Sequence, residues 1–458
     1  MLSSNLLHLT DNSVEDVFSS AVYTDNALLE KLNCIANIPI KHLVASSSSN
    51  IIMFPSDNTY KDDVQDNCIF EIYKNKIKTN NVMGYIGVDD LSITISSRFT
   101  SYGESSHDYF LHYLLSKVLC YNFINLNHKS SVSTGIEYLV FLFPLLLNRA
   151  ISQGVFKAYK KHQYNDAKVK GTIEVARHLK LNPLPNGKFA YRTREFDYDN
   201  SVTQLVRHTI EFIQGNGAIN AFFSNDSLYQ RNVALIKQIT PSYNIKARAE
   251  VISLNSKTLS HPYYTAYADL QKLCLQILSR AGFVYNNGKN SINGVLFDGA
   301  WFWEEYLAII LKDTKLVHAK NKERIDGIEV LEESQRRFYP DFYLCNHGIR
   351  SLVLDAKYKR IMDSDNSEKD HFSRNDLHQL ICYMYLLKAS TGGFIFPSTD
   401  KRGTNTYSLP SFSYGGNLLA IPFYIPKNAS SYEDFILKIR VEEQHLIDSV
   451  NTRIFPCR

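Results

Sequence analysis

Apolar and polar positions alternate with two different periods along this chain. Val82-Met-Gly-Tyr-Ile-Gly-Val88 and Leu91-Ser-Ile-Thr-Ile95, separated by Asp89-Asp90, have the pattern of a β-hairpin. Apolar residues spaced three and four apart predict helices over 109–119, 137–150 and 200–212, the last opened by Asp199 or Asn200 as N-cap. The same spacing predicts helices around 267–280 and over 299–312. A further one over 376–387 follows the capping pattern Ser373-Arg-Asn-Asp376. Polar stretches at 46–50, 57–66 and 254–260, and a Gly/Asn-rich break at 286–294, read as loops. No internal repeat is visible.

One segment combines a strand pattern with unusual charges. Arg336-Arg-Phe-Tyr-Pro-Asp341-Phe-Tyr-Leu-Cys345 reads as a strand, Asn346-His-Gly-Ile-Arg350 as a turn, and Ser351-Leu-Val-Leu-Asp355-Ala-Lys357-Tyr358 as a second strand. Alternation places Val353, Asp355 and Lys357 on one face, so an acid and an amine share an otherwise apolar strand. If 346–350 form the loop, Cys345 pairs with Ser351 and Asp341 falls opposite Asp355. Two carboxylates so close repel each other unless a cation lies between them, and hard oxygen ligands favour Mg²⁺ or Mn²⁺. A lysine beside a metal-bound water can orient or deprotonate it, which is the equipment for phosphodiester hydrolysis. The bland alternative is a strand-edge ion pair between Asp355 and Lys357, with Asp341 in a turn.

Two helices add candidates. On the 299–312 helix the apolar stripe is Trp303, Tyr306, Leu307 and Ile310; Glu304 borders it, as a third metal-binding acid, while Glu305 points to solvent. On the 376–387 helix the stripe is Leu377, Leu380, Ile381, Met384 and Leu387. Gln379 and Tyr383, four apart, share the neighbouring face, where they can hold a DNA backbone or orient the lysine. His378 beside them reads as a surface or packing residue.

Composition bounds these readings. The chain has 458 residues, 44% of them apolar and 21% charged, which excludes disordered and collagenous classes. At roughly 150 residues per domain it holds two or three domains. Its formal charge of +4 is too small for general coating of a polyanion. Residues 157–194, however, hold ten Lys/Arg against Asp166 and Glu174, with Tyr159, Tyr164 and Tyr191 interleaved. Such a stretch suits phosphate contacts and base stacking, or an ordinary solvated face. Seven scattered Cys without a C-x-x-C pair support neither a disulfide framework nor a zinc knuckle. With no secretory signal and no apolar run long enough for a membrane span, the expected location is the cytoplasm. There is no H-E-x-x-H, G-x-S-x-G or kinase signature, and no Walker A motif, so any nucleotide motor must be a separate protein.

Pro340-Asp341, Asp355-Ala-Lys357, the Glu304 helix and Gln379-x-x-x-Tyr383 together resemble the PD-(D/E)XK nucleases. Tyr-Pro-Asp341-Phe-Tyr-Leu and Leu-Asp355-Ala-Lys357-Tyr-Lys resemble the McrC subunit of McrBC-type, modification-dependent restriction systems. Val169-Lys-Gly-Thr-Ile173, Glu195-Phe-Asp-Tyr-Asp-Asn200-Ser-Val-Thr-Gln-Leu205, Gly84-Tyr-Ile-Gly87 and Ile93-Thr-Ile-Ser-Ser-Arg-Phe99 are similar to other McrC segments, although Thr203-Gln204 stands where members often have Asn-Arg or Asn-Gln. The resemblance implies a mixed α/β (α+β) protein, and the polar stretch 254–260 marks a domain boundary that leaves three parts. Residues 1–130 would be β-rich, 131–257 a helical and basic middle region for partner or DNA contact, and 258–458 a restriction-endonuclease-like domain whose mixed sheet is flanked by helices. It further implies Asp341, Asp355, Lys357, Glu304, Gln379 and Tyr383 as the catalytic set, with Asp341, Asp355 and Glu304 holding Mg²⁺ or Mn²⁺. DNA would be the substrate and an McrB-like AAA+ GTPase motor the partner, with no membrane involvement. Two competing readings are a non-catalytic adaptor that activates a AAA+ partner and a stand-alone repair or junction nuclease; the 250 residues before the nuclease part weigh against the second.

Overall fold

The structure, a computed structural model, describes residues 5–16, 26–46, 49–55, 66–73, 76–89, 91–100, 108–119, 136–217, 220, 223, 226–280, 292–319, 327–329, 337–346, 349–359, 372–409 and 416–454. Residues 57–65 and 286–291, parts of two expected loops, lie outside them. The architecture is mixed α/β. The chain divides into two compact units, one of residues 1–131 together with 290–458, the other of residues 132–289. This differs from the expected division at 130 and 257. The N-terminal strands and the hairpin region belong to one unit, and the helix Ala266–Arg280, expected with the nuclease part, belongs to the other.

In the larger unit a five-stranded sheet runs in the order Asn5–Thr10, Leu91–Ser96, Val82–Val88, Ile292–Asp298, Ser49–Phe54. The predicted hairpin is there, but its outer neighbour comes from 200 residues downstream. Ile292–Asp298 pairs antiparallel with Val82–Val88 and parallel with Ser49–Phe54. The expected loops at 46–50 and 286–294 therefore each end in a strand. Val82–Val88 is buried at every residue instead of alternating, so both faces of this central strand are covered.

The close pairing depends on Gly84. Its φ is +127°, and a Cβ there would sit 2.2 Å from the Val295 carbonyl oxygen. Gly84→Ala is expected to lower unfolding stability by about 2–3 kcal/mol through backbone strain and overlap. Gly215→Ala, with nothing within 4 Å of the added methyl, should cost nothing. Denaturant titration of the two variants checks this, and equal midpoints would refute it.

The second sheet carries the candidate site. Its order is Leu316–His318, Phe342–Asn346, Ile349–Ala356, Thr391–Ser398, Asn417–Tyr424, Asn405–Ser408. Helices flank it as expected. Arg374–Leu387 covers one face, with Leu380, Tyr383, Met384 and Leu387 packed among Val353, Phe394, Leu418 and Ala420. Gly299–Leu311 lies against the opposite set of strand positions, where Trp303 meets Phe423 at 5.6 Å and its Nε1 donates to the Ile395 carbonyl at 3.1 Å. The predicted stripe Trp303, Tyr306, Leu307 and Ile310 is buried, but Glu305, expected in solvent, is half-buried. On the other helix Leu377 and Ile381 are only half-buried, and Tyr383 takes a core position instead.

The two sheets are joined beside the hairpin. Arg98 pairs with buried Asp11 at 3.0 Å, and its guanidinium lies 4.3 Å from the ring centre of buried Tyr358, the residue after Lys357. The Gly299 amide donates to the Asn81 carbonyl at 3.0 Å.

The described residues of the smaller unit, 132–289, are mainly helical outside the basic segment. Ile136–Ser152, Ser201–Gly215 and Ala266–Arg280 pack together. Asn200 is the N-cap, accepting from the amides of Val202 and Thr203, while the Thr203 hydroxyl accepts from the Asn200 amide at 3.1 Å. Gln204 donates to Asp199 at 2.5 Å. Thr203-Gln204, the departure from the usual McrC wording, thus serves the start of a helix.

Candidate functional site

The hairpin forms with the predicted pairing at its chemical end and a different one at its turn. Phe342 pairs with Leu354, Tyr343 with Val353 and Leu344 with Leu352, so the next step sets Asp341 opposite Asp355. Between Leu344 and Cys345 the register shifts, pairing Cys345 with Arg350 and Asn346 with Ile349. The expected Cys345–Ser351 pair and the five-residue loop are thereby replaced by longer strands. The irregularity falls on the turn side of Leu344, so the position of the acids is unaffected.

Asp355 is 1% exposed, and its Oδ2 lies 2.7 Å from the Lys357 ammonium. Asp341 Oδ2 accepts from the Ala356 amide at 2.6 Å, which locks it to the far strand. Burial, then the Asp355 and Glu304 charges, hold the Asp341 carboxyl well above the usual carboxylate range against the pull of Lys357. Burial also raises Asp355, countered by Lys357 and reinforced by Asp376 and Glu304. Burial alone would lower the Lys357 amine, but Asp355, Asp341 and Asp376 raise it above its ordinary value. Lys357 is therefore a held positive charge.

The helices bring up the other predicted residues to different degrees. Gln379 Oε1 accepts from Lys357 at 3.0 Å, and its Nε2 donates to the Tyr383 hydroxyl at 3.1 Å, which in turn donates to the Tyr339 carbonyl at 3.4 Å. Gln379 thus contacts the lysine directly, and Tyr383 reaches it through Gln379. Glu304 acts on both carboxylates electrostatically, but its Oε1 contacts His318 Nε2 at 3.2 Å. His378 is exposed. Two neighbours were not among the sequence candidates. His318, stacked on Phe342 at 5.1 Å, carries no local signal. Asp376 is legible as part of a helix start, but its approach to Lys357 at 3.7 Å joins residues 19 apart in sequence through the tertiary fold.

Among the described residues no group of three or more His, Cys, Asp or Glu side chains is gathered closely enough to hold a metal ion. Asp341, Asp355 and Glu304 thus do not form a ready-made three-acid cage. A hard divalent cation nevertheless fits the Asp341/Asp355 pair. Asp355 Oδ2 is buried without a hydrogen bond, its close neighbour being the Lys357 ammonium, and both carboxylates are burdened by burial in a way that a cation relieves.

The basic segment folds as an antiparallel sheet with a short helix, not as part of a helical region. Pairing of Ala158–Asp166 with Phe189–Asp197 sorts the charges by face. Tyr159, Lys161, Gln163, Arg192, Arg194 and Phe196 share one exposed face, where Glu174 accepts from Gln163 at 3.1 Å and lies 3.9 Å from Arg192, while Arg194 lies 4.8 Å from the Tyr159 ring centre. Glu195 and Asp197 are on the other, where Asp197 meets His162 at 3.0 Å. Tyr191, expected as a stacking residue, is fully buried.

No helix among the described residues is long and apolar enough to cross a membrane. No curated protein matches the chain. Among solved structures, the refined half-complex from a tetradecameric assembly of Thermococcus gammatolerans McrB AAA+ hexamers with bound McrC contains a chain 15% identical, with 95% of this chain and 99% of that one covered and a TM-score of 0.48. The cryo-EM structure of the Thermococcus gammatolerans McrBC complex contains one 15% identical, with 67% and 87% covered and a TM-score of 0.33. The model of one protein family matches residues 77–397, more than half of the chain and every residue of the Asp341, Asp355 and Lys357 set. The chain belongs to that family, the McrBC 5-methylcytosine restriction system component.

Proposed function

We propose that this chain is the McrC-like endonuclease subunit of such a system, hydrolysing DNA phosphodiesters at a PD-(D/E)XK site with Mg²⁺ or Mn²⁺ and docking on and stimulating a separate AAA+ GTPase motor. The observation that carries the reading is the convergence of Asp341, Asp355 and Lys357 at one end of a buried hairpin. Burying two acids and an amine in an apolar strand is costly unless the group has a use, and a surface ion pair would supply the same stability without that cost. Asp341 and Asp355 would hold the cation, and Glu304, paired with His318, would favour it through space. A bound divalent cation would lower the pKa of a water and neutralise charge on the scissile phosphate. Lys357, kept positive by its acidic neighbours and aimed by Gln379, would bind the phosphate or orient the attacking water. The exposed cationic face of residues 158–197 is the candidate contact to DNA or to the motor.

The test is cleavage of 5-methylcytosine-bearing plasmid by the full chain with and without its motor, in Mg²⁺ and in EDTA. Cleavage requiring both motor and Mg²⁺ is expected. Stimulated GTP hydrolysis without cleavage would replace this reading by the adaptor, and cleavage without the motor by the stand-alone nuclease.

A further inference from the structure

Lys357 has a second carboxylate beside it, in addition to Asp355. Its ammonium lies 2.7 Å from Asp355 Oδ2, 3.0 Å from Gln379 Oε1 and 3.7 Å from Asp376 Oδ1. Gln379 accepts a hydrogen bond, and the two carboxylates are ion-pair contacts. Asp376 is itself fixed. It is buried, sits in the first turn of Arg374–Leu387 where the helix dipole favours an anion, and accepts from the Ser373 hydroxyl at 2.6 Å. Exposed Lys359 donates to both of its oxygens, at 2.9 and 3.0 Å. Burial would raise the Asp376 carboxyl, but Ser373 and Lys359 outweigh it and keep the group ionised.

We infer that Asp376 is a positioning residue of the site, the anchor that keeps Lys357 in place when Asp355 turns its carboxylate to a cation. The inference rests on the reading of Asp341, Asp355 and Lys357 as the cleavage site. Asp355 is at once the nearest anion to Lys357 and a proposed cation ligand. A divalent ion on that carboxylate competes with the ammonium for the same charge, and a lysine with four rotatable bonds and a single remaining neutral acceptor would swing away. Asp376 supplies a negative charge from a different element, the helix Arg374–Leu387. Lys359 balances that charge from the surface and takes no part in the reaction.

The experiment measures single-turnover cleavage of 5-methylcytosine-bearing DNA by the full chain with its motor, alongside Mn²⁺ affinity by calorimetry and the thermal midpoint of the chain alone. Asp376→Asn is expected to slow cleavage on the order of 10²-fold, the cost of a misplaced group, with Mn²⁺ affinity and DNA affinity unchanged. A wild-type rate for Asp376→Asn would reduce Asp376 to a helix cap, and lost Mn²⁺ affinity would make it a ligand; either overturns the inference. Should Asp376→Asn not fold, Asp376→Glu keeps the charge and the Lys359 pair while shifting the oxygens by one methylene. A slowed rate then supports the inference and an unchanged one overturns it. Absence of cleavage by the wild type would instead remove the underlying reading.

Discussion

Asp355→Asn is expected to slow DNA cleavage by roughly 10³-fold or more while the chain still assembles with its motor and stimulates GTP hydrolysis. The substitution is nearly isosteric in a strand where Val353 and Leu354 are 0% exposed, so packing is kept. What disappears is the negative charge 2.7 Å from Lys357 and opposite Asp341. Burial and its neighbours already raise the Asp355 carboxyl, so the neutral amide fits the apolar strand at least as well as the acid does. Thermal stability should therefore hold or rise while cleavage falls. Lys357→Ala should also abolish cleavage, with the opposite effect on stability, because it strips a buried acid of its cation. Cleavage at the wild-type rate by Asp355→Asn would refute the site, and loss of motor stimulation would show that its effect is not confined to chemistry.

The second large effect concerns what must be expressed to obtain a folded nuclease. Residues 258–458 alone are expected to give an aggregated or molten product. Ile292–Asp298 would lose both of its sheet neighbours, Val82–Val88 and Ser49–Phe54. Val295, Leu296 and Phe297, each 0% exposed, would lose much of their cover, at about 1.5–3 kcal/mol apiece. That sum rivals the total stability of a typical domain, about 5–15 kcal/mol. The helix carrying Glu304 starts directly after this strand, and Tyr358 would lose Arg98. A chain joining residues 1–131 to 290–458 through a flexible linker of about 15 residues should fold, since it keeps one compact unit whole. Near-ultraviolet circular dichroism and cooperative unfolding distinguish the two, and a cooperatively folding 258–458 fragment would refute the argument.

The hairpin at 82–96 and the helices at 109, 136, 201, 266, 299 and 374 were legible because each depends on local spacing and caps. The facing of Asp341 and Asp355 was legible for the same reason, since pairing within a hairpin is set by neighbouring residues. Local pattern could not show that Ile292–Asp298 would leave its sequence neighbours for the N-terminal sheet, because strand partners 200 residues away leave no trace in periodicity. It also missed the bulge after Leu344, which depends on backbone fit rather than side-chain pattern.

By itself the sequence determined the chemistry of the hairpin, an acid pair and an amine in an apolar strand, and the wording that ties the chain to its family. Only the tertiary structure decided that the N-terminal strands complete the body that carries this hairpin. It alone sorted the charges of residues 158–197 between two faces of a sheet and placed Asp376 and His318 beside the site. The physical reason is the range of the forces involved. Turn chemistry and periodicity act over a few residues, whereas burial and charge pairing act through space and are indifferent to separation along the chain.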